Sequence, residues 1–235
     1  MATLRRVRRA ALLCLLSLLL IAAGCGEDEE PSSDGQAEDT PTQTLTEATL
    51  PGECAQVEMP AAKPDGGQKR LLALLAPGKV YEVEIETNCG AFTIRLDQKT
   101  SPATAASFAS LARTGFYEGT FFHRIVPGFV IQGGDPTGTG TGGPGYSTVD
   151  RPPANARYTE GVVAMAKSGQ EAPGTAGSQF YVVTAADAGL PPEYALLGRV
   201  TKGLEVVAKI GALGDPATEQ PLQIVLIEKT TVSER

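Results

Sequence analysis

Phe121-Phe-His-Arg-Ile-Val-Pro-Gly-Phe-Val-Ile-Gln-Gly-Gly-Asp135 breaks at Pro127-Gly128, a turn pair, into two short runs rich in β-branched and aromatic residues. The pattern predicts strands over 121–126 and 130–132. Side chains alternate across a strand, so Val130 and Gln132 share one face, while His123 and its neighbour Arg124 point to opposite faces. Gln179 and Tyr181 share a face in the same way, so each pair can line one groove, and His123 is read as a hydrogen-bonded structural residue.

The same strand texture extends in both directions. Upstream, Val80 to Glu86 alternates apolar and acidic residues, and after Asn88-Cys89-Gly90 the alternation resumes through Phe92, Ile94 and Leu96, which predicts a hairpin with one buried face. Thr100-Ser101-Pro102 followed by Ala103 to Arg113 reads as a capped helix start with proline in the first turn, its inner side carrying Phe108, Leu111 and Ala112. Downstream, short strands are predicted over 161–166, 179–183, 196–200 and 223–229, and a second helix over 204–210. About eight strands and two helices joined by Gly and Pro turns point to an antiparallel barrel or a sandwich.

Composition narrows the chemistry. The 235 residues hold 27 Gly and 17 Pro, too many breaks for a helical bundle. A net charge of -7 and a pI near 4.9 argue against a nucleic-acid partner held through phosphates. The single histidine excludes a metal site built from several imidazoles, and neither metal nor cofactor is expected. Ser178 has no second histidine to act as its base beside the structural His123, which excludes the usual serine hydrolase. Gly138 to Gly143 satisfies GxGxxG in form, but Pro144 follows and no helix opens there, so a dinucleotide site is not expected.

Residues 1–24 read as a signal peptide: Arg5, Arg6, Arg8 and Arg9 precede a 14-residue apolar run from Ala10 to Ala23, shorter than the roughly 20 residues that span a bilayer. An uncleaved anchor is the competing reading. Ala22-Ala23-Gly24-Cys25 resembles the lipobox of bacterial lipoproteins, which implies lipidation at Cys25. Ala22 stands where that box usually has Leu, so plain secretion stays open. Removing the four arginines takes the net charge from -7 to -11. Between Gly26 and Ala62 lie ten acidic residues and no basic one, a composition that predicts a disordered acidic tether over 25–62, either a spacer or a partner-binding tail. Residues 63–78 are read as a linker, and 79–232 as the folded domain. Cys54 and Cys89 remain as an even pair in an exported chain, which points to a disulfide, with free thiols or a metal pair as rivals.

The long run 121–135, then Gly140-Thr-Gly-Gly143 and Gly177-Ser-Gln-Phe180, resembles the cyclophilin family of peptidyl-prolyl cis-trans isomerases over roughly 79–232. The Thr-Asn-Cys-Gly turn is similar to that of the family's bacterial secreted and lipoprotein forms. The resemblance implies a mainly β fold, a closed eight-stranded antiparallel β-barrel capped by two α-helices, with a peptide groove on its outer face. It also implies roles. Arg124, Phe129 and Gln132 would be catalytic, Arg124 as donor to the prolyl nitrogen. Phe129, Tyr181 and Leu190 would wall a proline pocket, with Val130, Gln179 and Tyr194 beside it. Ala166 and Lys167 would grip the peptide through their backbone, and Gly140 would floor the adjoining pocket. No tryptophan is present, its usual place falling on Gly189, so cyclosporin affinity is expected to be weak.

Two functions follow from this resemblance. The first is a monomeric isomerase acting on proline-containing segments of exported proteins, attached to a bacterial cell membrane by lipid or secreted. The second is a chaperone or scaffold whose groove binds Pro segments with little catalysis. A purely structural lipoprotein is a third reading.

Overall fold

The computed structural model describes residues 54–70 and 73–235. The signal segment, Cys25 and the tether as far as residue 53 lie outside the described residues.

The predicted hairpin forms as β1 (Tyr81–Thr87) and β2 (Gly90–Leu96). Val83, Ile85, Phe92 and Ile94 face inward and are buried, as the alternation requires. Glu82 is buried as well, because one of its carboxylate oxygens accepts from Arg95 at 3.3 Å and from Arg235 at 2.9 Å. Helix α1 (Pro102–Arg113) packs Phe108, Leu111 and Ala112 into the core. Ser101 makes no side-chain cap there. Asp150 reaches the helix start instead and accepts from the Thr104 amide at 2.6 Å.

Five further strands complete the main sheet with β1 and β2: β3 (Arg124–Val126), β4 (Val130–Gly133), β6 (Val162–Met165), β8 (Phe180–Val183) and β9 (Leu196–Lys202), to which β10 (Ile227–Glu234) adds an edge. Their order is β10-β1-β2-β9-β6-β8-β4-β3, antiparallel throughout. Strands β5 (Thr148–Val149) and β7 (Thr175–Ala176), too short to show a period in the sequence, form a separate two-stranded sheet. Helix α2 (Leu204–Gly211) buries Val207 and Ile210.

The expected closed barrel is corrected to an open, half-barrel sheet, since β3 and β10 do not pair as strands. Only the chain before β3 meets the start of β10 and the residues ahead of it, through the bridge Phe121↔Leu226, the bond from the Phe122 amide to Val225 O at 3.0 Å, and the bonds of Ile227 with Gly119 and Thr120 at 2.8 Å. Past that point Ile125 donates to Glu219 O at 2.9 Å, so the loop at 213–222 occupies the free edge of β3. Gly214 permits the approach: a Cβ there would stand 2.2 Å from Ile125 O. The last strand also starts later than the expected 223. The Asn88 side chain binds Ile224 O and the Leu226 amide, and Gln223 binds Cys54 O, so that segment is held by side chains before the ladder begins.

Residues 54–68, assigned from sequence to tether and linker, lie against the domain. Cys54 and Cys89 are joined by a disulfide with an S–S distance of 2.08 Å. Ala55 exchanges bonds with Asn88, and the Lys63 ammonium donates to the carbonyls of Gly115, Phe116 and Glu118. Gly66 and Gln68 donate to Gly143 O and Pro144 O, while the Asp65 carboxylate accepts from the Gly143 amide. A turn-rich composition masked this arm because its contacts are single hydrogen bonds to backbone groups, many made by side chains, which leave no hydropathy pattern. The crosslink spans a sequence separation of 35. We therefore expect the Cys54→Ser/Cys89→Ser double variant to lose about 3–4 kcal/mol in urea unfolding under oxidising conditions, from loop-closure entropy. An unchanged midpoint would show that the crosslink gains nothing by restricting the unfolded chain.

Candidate active site

Register builds the site. Arg124 stands opposite Gln132 in the β3–β4 pair, Gln132 opposite Tyr181 in β4–β8, and Tyr181 opposite Ala164 in β8–β6. This row lies on the outer face. The intervening residues Ile125, Ile131, Val182 and Val163 are fully buried in the main core. A second apolar cluster, with Val130, Tyr158, Ala164 and Tyr181 buried at its centre and Phe129, Leu190 and Tyr194 packed against it, covers the outer face beside the row.

A cleft of about 230 Å³ opens there, lined by Arg124, Phe129, Val130, Gln132, Ala166, Lys167, Tyr181, Leu190 and Tyr194. A neighbouring cleft of about 590 Å³ shares Gln132, Ala166 and Lys167 and adds Gly140, Gln179 and Asp65. The structure thus gathers all the residues predicted for catalysis and peptide binding around two adjoining hollows.

Their polar groups form one directed chain. The Arg124 guanidinium, which only donates, turns Nη1 to Gln132 Oε1 at 3.5 Å. That leaves the Gln132 amide nitrogen to donate to Gln179 Oε1 at 3.0 Å, and the Gln179 nitrogen to donate to Gly142 O at 2.9 Å. Each amide's orientation follows from the cation at the head of the chain. Arg124 Nε donates to Glu219 Oε2 at 2.7 Å. The Lys167 side chain is 4% exposed, bonded to Glu193 at 3.4 Å and to the carbonyls of Ser168 and Glu171. The Ala166 amide is engaged by Gln179 O at 2.9 Å.

Several contributors were not legible in the sequence. Tyr158 is fully buried and its hydroxyl accepts from the Tyr194 amide and donates to Tyr194 O, fixing the loop that carries Leu190 and Tyr194. Tyr158, Tyr181 and Tyr194 stand with ring centroids 5.7 to 6.4 Å apart. Burial pushes the Tyr181 hydroxyl far up, with the two neighbouring phenols adding to the effect, so it stays protonated. Asp135 ends the deciding motif and shapes the loop beyond it. Its buried carboxylate accepts from Thr137 N and Oγ1 and from the Gly140 and Gly142 amides, at 2.6 to 3.2 Å. Burial alone would raise its pKa, but those bonds outweigh it and hold the group low. An acid followed by Gly-x-Gly is a turn-capping signal in its own right.

His123 departs from expectation. Neither ring nitrogen has a protein hydrogen-bond partner, although both are shielded from solvent, and the ring stands beside Gly140.

Comparison with known proteins now fits this geometry. The profile of the family described as cyclophilin type peptidyl-prolyl cis-trans isomerase/CLD matches residues 82–232. Peptidyl-prolyl cis-trans isomerase CYP18-2 of Arabidopsis thaliana is 39% identical over 159 residues, covering 66% of this chain and 95% of that protein. The human peptidyl-prolyl cis-trans isomerase-like 1 is 39% identical over 175 residues, covering 73% and 97%. A crystal structure of a cyclophilin-type isomerase from Cryptosporidium parvum superposes with a TM-score of 0.60 at 31% identity, covering 66% and 98%; a second crystal structure of it was obtained in the presence of the dipeptide Ala-Pro. The chain belongs to the cyclophilin-type peptidyl-prolyl cis-trans isomerases.

The histidine yields a pH test. Burial lowers its pKa below the usual value near 6.5, against the pull of Asp135 and with the push of Arg124. The unfolded chain then binds the proton more readily, so stability is intact above about pH 6.5 and erodes as pH falls through the folded-state value. Because the chain has one histidine, a single imidazole resonance reports it. Its NMR titration midpoint is expected below 6.5; a midpoint at or above that value would contradict the burial.

Proposed function

We propose that this isomerase accelerates the cis-trans interconversion of X-Pro bonds in exported proteins, with Arg124 as the group that stabilises the twisted amide. Rotation must break amide resonance, a barrier of about 18–20 kcal/mol, and requires no nucleophile and no covalent intermediate. As the amide twists, the prolyl nitrogen recovers its lone pair and becomes a better acceptor. A fixed donor aimed at that atom binds the twisted form more tightly than either planar isomer, which is the condition for catalysis.

The observation that carries this reading is the placement of the permanently charged Arg124 at the rim of the apolar cleft walled by Phe129, Tyr181 and Leu190. The apolar walls would hold the proline ring while the preceding carbonyl swings. Gln132 would keep the guanidinium aimed and reach the substrate backbone with its remaining lone pair and proton. Ala166 would hold the peptide through its carbonyl, since its amide is already bonded to Gln179. That the Cryptosporidium isomerase was crystallised in the presence of Ala-Pro lends support to an X-Pro ligand here.

For location, the basic and apolar run over residues 1–24, the Gly24-Cys25 pair and the acidic stretch after it favour an extracytoplasmic, lipid-anchored protein of a bacterial membrane. The Cys54–Cys89 disulfide agrees with an oxidising compartment. Two acyl chains on Cys25 would suffice for stable attachment.

The test of the chemistry is a protease-coupled isomerisation assay on a short Ala-Pro peptide. Arg124→Ala is expected to lower kcat/KM roughly 100-fold, the scale on which a lone transition-state donor acts. Equal rates for wild type and variant would remove Arg124 from the mechanism. For the anchor, mass spectrometry of the mature N-terminus should find an acylated Cys25, and an unmodified terminus elsewhere would reject it.

A further inference from the structure

The mechanism so far gives no role to Glu219, although its carboxylate makes the shortest bond to the arginine, 2.7 Å from Oε2 to Nε. We infer that Glu219 is a positioning residue for the reaction, holding the back of the Arg124 guanidinium so that its outer edge is presented to the twisting amide. This inference rests on the donor role proposed for Arg124.

Three independent features show that Glu219 is placed by construction and is not a passing surface contact. First, its backbone is fixed on both sides: its amide donates to Asp215 O at 2.8 Å and its carbonyl accepts from Ile125, the residue after Arg124, at 2.9 Å. Second, the loop that carries it is a closed turn. Asp215 donates to Gln220 O at 2.8 Å, Gly214 bridges Pro221, and the Asp215 carboxylate accepts from the Ala217 amide at 2.8 Å. Third, Glu219 is the one non-glycine among the described residues with a positive φ, 59°. Side chains rarely adopt that conformation, and a glycine would sit there without strain. A residue kept at a position that favours glycine needs its side chain for something.

The geometry says what the side chain does. A guanidinium presents five N–H groups in one rigid plane. With Nε engaged by Glu219 and Nη1 directed at Gln132, two in-plane anchors fix the fork, and the Nη2 side keeps donors available for substrate. The Arg124 side chain is 35% exposed, so without a second anchor it would rotate among solvated conformers, and the donor's placement would be lost from the transition state before the ground state. The two anchors come from different places: Gln132 is its strand partner, Glu219 lies 95 residues away on a turn filling the open edge of β3.

This assigns distinct outcomes to four variants assayed as full-length chain with the Ala-Pro peptide. Glu219→Ala should lower kcat about fivefold, the worth of one partly exposed charged hydrogen bond, with KM nearly unchanged. Glu219→Gln keeps an oxygen acceptor for Nε and should recover kcat to within about twofold of wild type. Glu219→Gly removes the side chain while relaxing the backbone, so it should lose kcat like the alanine variant yet melt at the same or a higher temperature, a pattern that loop collapse cannot produce. In NMR spectra the Arg124 Nε–H signal, protected by the carboxylate, should broaden or vanish in the alanine and glycine variants and persist in the glutamine variant. Wild-type kcat in both Glu219→Ala and Glu219→Gly, beside a strongly impaired Arg124→Ala, would overturn the positioning role alone. A wild-type rate for Arg124→Ala would overturn the donor assignment beneath it.

Discussion

The constraint from which the site follows is the two-residue period of the four strands β3, β4, β8 and β6, locked in one register. A row of branched aliphatics on the inner face, Ile125, Ile131, Val182 and Val163, fixes that register by filling the core. Once it is fixed, Arg124, Gln132 and Tyr181 have no choice but to align across the outer face. A one-residue slip in β3 or β4 would send the cation of Arg124 or the amide of Gln132 into the core, at a cost of several kcal/mol. Core packing and chemistry are thus specified by the same hydrogen-bond ladder, and the guanidinium borrows its precision from residues that never meet substrate.

Around that row, the irregular parts act as buttresses. Asp135 ties four donors of the glycine-rich loop to the end of β4, and the arm at 54–68 braces the far side of the same loop through Asp65, Gly66 and Gln68. Tyr158 performs the equivalent task for the loop that carries Leu190 and Tyr194. Every wall of the cleft therefore has either a strand or a buried polar anchor behind it, as a site that distinguishes a twisted amide from a planar one requires.

What the sequence disclosed followed from how local each signal was. Strand alternation placed Val130 and Gln132 on one face, and the structure agrees, because period two is a property of the chain alone. The hairpin at 81–96 and both helices were legible for the same reason. The rest of the groove came from the family resemblance and not from spacing, since Phe129, Ala166 and Leu190 are brought together by long-range pairing. What escaped was of two kinds. Glu219 and Tyr158 act across 95 and 36 residues through single bonds, which leave no periodic trace. The arm at 54–68 and the offset start of β10 depend on side chains binding backbone, chiefly Asn88 and Gln223, where hydropathy is silent. The closed barrel failed at its seam because a turn, not a strand, fills the edge of β3.

The crosslink at Cys54 sits at the near end of the arm, upstream of every bond the arm makes to the groove loop. A chain tugged from its N-terminal side would therefore load a covalent bond anchored in the turn between β1 and β2. The hydrogen bonds of Asp65, Gly66 and Gln68 lie beyond that clamp and carry none of the strain. The cleft is in this way mechanically insulated: motion of whatever precedes Cys54 can swing the domain as a body without working its binding loops loose.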